Sequence, residues 1–127
     1  MQDFRKLHAW RAAHALTLAV YRATEGFPSS EGYGLTSQLR RSAASVGANL
    51  SEGCGCASPA NKRRFMHIAH ASASEVLNHL LLARDLGLLD EKTSTELERE
   101  TFLVRRAVRH LIDRIDATLE EKRGWRG

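Results

Sequence analysis

Apolar residues recur along this chain at helical spacing, in four segments separated by glycine and proline. No stretch alternates at every second residue, as a half-buried strand would. The segments cover about residues 3–24, 34–53, 58–86 and 90–123. The pattern predicts an all-α, up-and-down four-helix bundle over 1–123, followed by a flexible tail over 124–127.

The second segment organises the others. Leu35, Leu39, Ser42, Val46, Asn49, Leu50 and Gly53 share one face, and the back is small: Ala44, Gly47, Ala48 and Ser51. Such a back predicts a second close approach, so that this helix is shielded on both sides, with Gly53 as its C-terminal cap. The first segment carries a main stripe of Leu7, Trp10, His14, Thr17, Leu18 and Tyr21, and a second of Ala9, Ala13, Leu16 and Val20. That is wider than one seam needs and reserves part of the surface for another subunit. Phe27-Pro28 ends it.

The third segment opens on Ser58-Pro59, a hydroxyl cap followed by proline at the first helical position. Its stripes are Phe65, Ile68, Ala69, Ser72, Val76, Leu80 and Ala83, and Met66, Ala73, Leu77 and Leu81. The fourth keeps one narrow stripe of Leu97, Val104, Val108, Leu111, Ile115 and Leu119. At roughly 50 Å it is long for the domain, so its end is expected to project or to frame an opening.

Composition narrows the class. The 127 residues suffice for one domain with a real core. No apolar run approaches a membrane span, and the first residues lack the order of a secretion signal, so a cytoplasmic protein is expected. Cys54 and Cys56 stand too close for a disulfide framework and supply at most half a zinc set. Free thiols are the expectation. The net charge of +4 is uneven: residues 1–64 hold nine Lys/Arg against four Asp/Glu, and residues 65–127 hold ten against eleven. A basic first half suggests an anionic partner.

Two basic clusters are the candidates for it. Arg40-Arg41 fan apart by about 100° on the second helix, with phosphate contact as one reading and pairing of Arg41 with Glu52 or another subunit as the other. Lys62-Arg63-Arg64 occupies the first turns of the third helix, where the backbone already presents positive charge. Three cations there suit a phosphate, the plain alternative being a solvated face. Asn49, Glu52, Ser72 and Glu75, with His79, predict a structural polar layer that fixes helix register. A bundle metal site would need paired Glu-x-x-His motifs, which are missing, and His67 and His70 point away from Glu75. No cofactor and no metal are expected. Trp125, beside Arg123 and Arg126, could stack on a base, though a frayed terminus is the simpler reading.

The run Gly34-Leu35-Thr36-Ser37-Gln38-Leu39-Arg40-Arg41-Ser42-Ala43, followed by Asn49-Leu50-Ser51-Glu52-Gly53, resembles the signature of the four-helix-bundle proteins encoded in 23S rRNA intervening sequences. Phe27-Pro28, Glu31-Gly34, Ile68-Ala69, Ser72, Glu75 and Leu86-Gly87 extend the resemblance over nearly the whole chain. Cys54-Gly55-Cys56 and Lys62-Arg63-Arg64 depart from it. The chain is also similar to the accessory variability determinant proteins of diversity-generating retroelements. The resemblance implies a homo-oligomeric ring, five-membered, with RNA or DNA and a reverse transcriptase or other protein as partners and no enzymatic activity. The expected function is therefore non-catalytic nucleic-acid binding, through Arg40, Arg41, Lys62, Arg63 and Arg64. An oligomeric protein-interaction scaffold without nucleic-acid binding is the alternative.

Overall fold

The computed structural model describes residues 3–126. Four helices follow one another: α1 (His8–Thr24), α2 (Leu35–Gly55), α3 (Pro59–Asp85) and α4 (Glu91–Arg126). Short 3₁₀ turns, Phe4–Lys6 and Ser29–Glu31, precede α1 and α2. Each helix runs opposite to the one before it, as the sequence pattern predicts. Among the described residues no helix is long and apolar enough to cross a membrane.

The ends are fixed by local chemistry. The Asp3 carboxylate accepts the Arg5 N–H at 3.0 Å and turns the chain into α1. Ser58 Oγ accepts the Asn61 N–H at 3.3 Å, with Pro59 at the first helical position, so the start of α3 is where the hydroxyl–proline pair indicated. Asp90 does the same for α4 through Thr93, at 2.7 Å. Gly87 stops α3 at φ 75°, letting Leu88 N–H reach the Ala83 carbonyl at 2.9 Å.

The core is one continuous cluster. Its fully enclosed large side chains are Leu16 and Val20 of α1, Leu39, Val46 and Leu50 of α2, Val76 and Leu80 of α3, and Val104, Val108 and Ile112 of α4. The narrower stripe of α1 is thus the buried one. Leu18 and Tyr21 of the wider stripe remain 42% exposed, because Trp10 and Thr17 already fill the side facing α2.

One expectation for α2 is corrected. The helix runs to Gly55, and Gly53 is not its cap: it is buried inside the last turn, where a β-carbon would come within 2.7 Å of Met66 Cε and 3.2 Å of Phe65 Cβ. It is glycine because α3 crosses there. Within one chain the back of the helix is covered only in part. Gly47 packs against the Trp10 indole, but Ala44 and Ala48 face solvent.

The end of the chain also differs from expectation. Gly124 to Arg126 continue α4 rather than forming a tail, and Gly127 lies outside the described residues. Arg63, on the second turn of α3, meets Asp116. In that register α4 from about residue 120 onward passes the start of α3 by roughly 10 Å.

Candidate nucleic-acid interface

Antiparallel packing turns the asymmetry between sequence halves into one between bundle ends. One end gathers the start of α1, the α2–α3 turn and the last half of α4, residues 3–16, 46–72 and 107–126. It carries eleven Lys/Arg and six Asp/Glu, an excess of +5. The remaining residues, 17–45 and 73–106, carry eight and nine, a balance of −1. The sequence alone did not give this contrast. Arg109 and Arg114 lie in the acidic half of the chain but at the basic end of the fold.

The five arginines and lysines expected to bind nucleic acid do not form one surface. Arg40 turns back on α1: its Nε donates to Thr24 Oγ1 at 2.8 Å, a terminal nitrogen reaches the Tyr21 carbonyl at 3.3 Å, and its guanidinium lies 4.7 Å from the Tyr21 ring centre. It satisfies a carbonyl at the C-terminus of α1, where a cation is favoured. Arg41 is exposed at the other end of the bundle from Lys62, as expected for helices that start at opposite ends. Arg63 is held by Asp116, and this guanidinium keeps the Asp116 carboxyl below the usual carboxylate range. Arg64 is exposed, with its guanidinium 4.7 Å from the Phe65 ring centre. Lys62 and Arg64 make no ion pair among the described residues. They, rather than the whole cluster, are the available cations of α3.

Helix α4 supplies others that the sequence reading passed over. Arg114 stands with Lys62 around a cavity at the basic end. Arg106, Arg109 and His110 flank the groove between α1 and α4, with His8. The signal in the sequence is the row of cations on α4, Arg105, Arg106, Arg109 and Arg114, which spacing along one helix does not assign to a face shared with α1 or α3. Arg109 does reach Asp113, one helical turn further on, at 4.0 Å, and with both partners exposed this contact contributes little.

The polar layer is real but its members differ from those expected. Ser45 Oγ and Ser72 Oγ share a hydrogen bond at 2.9 Å across α2 and α3, and Asn49 Nδ2 donates to the Ser45 carbonyl and hydroxyl at 2.8 and 3.0 Å. Ser45 is the link that was missed. Glu52 and Glu75 are exposed and make no side-chain hydrogen bond among the described residues, so they are not part of it. Glu75 instead borders an open polar groove of about 410 Å³ with Gln38, Arg41, Ser42, Ser45 and Ser72. Among the described residues no three His, Cys, Asp or Glu side chains are placed to hold a metal. Cys54 is buried and Cys56 half-buried, both as free thiols.

His70 lies half-buried on the α3 side that meets α4, and its pKa falls below the ordinary 6.5. Burial is the main cause, followed by Arg109, Arg105 and His67. The unfolded chain therefore binds a proton more readily than the folded one. Stability contributed by neutral His70 is present above pH 6.5 and is lost as pH falls through that value toward the lower folded pKa. His70→Gln is expected to flatten the fall in melting temperature between pH 7.5 and 5.5. Parallel profiles for the two proteins would contradict this.

The profile of the 23S rRNA-intervening sequence protein family matches residues 5–110. A crystal structure from Bacteroides thetaiotaomicron, of a protein of unknown function from the S23 ribosomal protein family, is similar in fold. Its TM-score is 0.76 at 16% identity, over 83% of this chain and 95% of that one. No curated protein matches the chain.

Proposed function

We propose a non-catalytic, homo-oligomeric, nucleic-acid-binding role for this chain, which belongs to the 23S rRNA-intervening sequence protein family. The observation that carries the reading is the basic end of the bundle, with Lys62, Arg64 and Arg114 free of carboxylate partners among the described residues. Phosphates are the anions such a surface suits: spaced cations without a matching pocket for a base read charge rather than sequence. Lys62, Arg64, Arg109 and Arg114 contact the backbone in this proposal, Arg41 acts at the far end, and Arg40 and Arg63 support the fold around them. RNA and DNA of unrelated sequence should bind alike, with affinity falling steeply as salt rises. Gel shifts across a salt series test this. Salt-independent binding, or none at low salt, would leave a protein-interaction scaffold as the better reading.

Self-association into a ring of five is the second part of the proposal. Its support is the surface left uncovered in one chain: Ala44 and Ala48 on α2, with Leu18 and Tyr21 of α1 and Ile68 of α3 exposed. Small side chains allow close approach of another backbone, and the apolar groups gain from leaving water. Five copies would turn a modest basic end into a strong field. Ala48→Arg is expected to lower the mass seen by light scattering. Because Ala48 faces solvent within one chain, helical content should stay unchanged. A wild-type protein that is monomeric at micromolar concentration would remove the ring from the proposal.

A further inference from the structure

We infer that the cavity at the basic end is a binding site for a small monocarboxylate with a compact apolar body. It measures about 230 Å³ and lies where α1 begins, α2 ends and α3 begins, against the side of α4. Leu7, Met66, Leu111 and Ile115 give it apolar walls, and Cys54 and Thr118 complete the lining together with two cations, Lys62 and Arg114. Among the described residues no carboxylate borders it. A site this apolar with positive charge of one sign selects an amphiphile whose tail is buried and whose head is anionic.

The lining also excludes other chemistry. The Cys54 thiol is buried, which raises its pKa, and the opposing pull of Lys62 is the smaller influence. A neutral thiol of this kind is a poor nucleophile, so the cavity suits binding rather than covalent catalysis. Thr118 Oγ1 already donates to the Arg114 carbonyl at 3.1 Å, so its hydroxyl proton is committed. The cations are therefore the groups left to orient a ligand. Lys62 also sits in the early turns of α3, where a nearby anion relieves its repulsion from the helix start.

Size sets the ligand. At about 230 Å³ the space suits a carboxylate of about six carbons in all. Each methylene added up to that length should tighten binding about fourfold, and longer chains should gain nothing further. The site shares Lys62 and Arg114 with the proposed phosphate contacts, but its test uses no nucleic acid, so either reading can fail without the other.

Hexanoate is the probe, with hexanamide as its uncharged counterpart, measured by titration calorimetry on the full-length protein. Saturable hexanoate binding at one site per chain is expected, at least tenfold tighter than hexanamide. Lys62→Met and Arg114→Met should each weaken hexanoate about tenfold and leave hexanamide unchanged, with unaltered melting curves. In a Cys56→Ser background, hexanoate should also slow modification of Cys54 by a thiol reagent, placing the ligand against that wall. Equal affinity for hexanoate and hexanamide, no saturable binding, or unprotected Cys54 at saturating hexanoate would each overturn the assignment.

Discussion

Gly53→Val is expected to destabilise the fold by about 2–3 kcal/mol, the largest effect of any single substitution on α2 outside the apolar core. The added β-carbon meets Met66 Cε at 2.7 Å and Phe65 Cβ at 3.2 Å, and the Lys62 carbonyl stands 3.5 Å away. Met66 Cε is the end of a flexible side chain and can move. Phe65 Cβ is tied to the α3 backbone and cannot, so the two branches of valine must push the helices apart. Gly53→Ala separates packing from conformation. Its helical preference is worth about 1 kcal/mol over glycine, close to offsetting the smaller clash, and near-neutral stability is expected. Chemical denaturation of the two variants checks the contrast. Equal destabilisation by alanine and valine would mean a backbone requirement at Gly53, which its helical φ does not suggest.

Removing Lys62, Arg64 and Arg114 together, each replaced by glutamine, should have the largest effect on nucleic-acid binding. If each contacts one phosphate, the slope of log affinity against log salt becomes shallower by roughly 2.7 on duplex DNA. Between 50 and 200 mM salt that is a salt-induced loss about fortyfold smaller than for the wild type. Arg63 is left in place because Asp116 occupies it, and its loss would leave that carboxylate unpaired. Replacing Arg22, Lys92 and Arg99 on the other half removes the same charge. That control should leave the slope close to wild type if position matters, and should match the first variant if only net charge does.

The helices and most of the core were legible because apolar period and capping chemistry agree along the chain. Ser58-Pro59 and Leu86-Gly87 mark boundaries by local rules alone, and the ladder Leu39, Val46, Leu50 needs only spacing. Thr101 and Ser94 were not read as core, yet they are 0% and 1% exposed. Their hydroxyls are satisfied within α4, by the Leu97 carbonyl at 2.7 Å and by Glu98 at 2.8 Å, and hydropathy does not register a polar group that its own helix satisfies. Ile112 was missed for a different reason: the helical face drifts, and the stripe through Leu111 and Ile115 lies at the edge of the buried zone.

The candidate interface was less legible than the fold. Adjacent cations in sequence suggested joint action, but neighbours on a helix diverge, and each finds its own surroundings. Arg40 meets the end of α1, Arg63 meets α4, and Arg64 stays in solvent. The cations that do come together, Lys62 and Arg114, stand 52 positions apart in the chain. Only the antiparallel register joins them.

The uneven ends of the bundle also bear on the speed of encounter. A long polyanion exerts torque on a molecule whose charge lies mostly toward one pole, and rotates it before contact. In the proposed complex with nucleic acid, fewer collisions would then arrive with the wrong pole leading, which would raise the association rate without adding a single contact. Salt weakens that torque over the same distances that it weakens attraction, so capture should slow sharply with ionic strength while escape changes less.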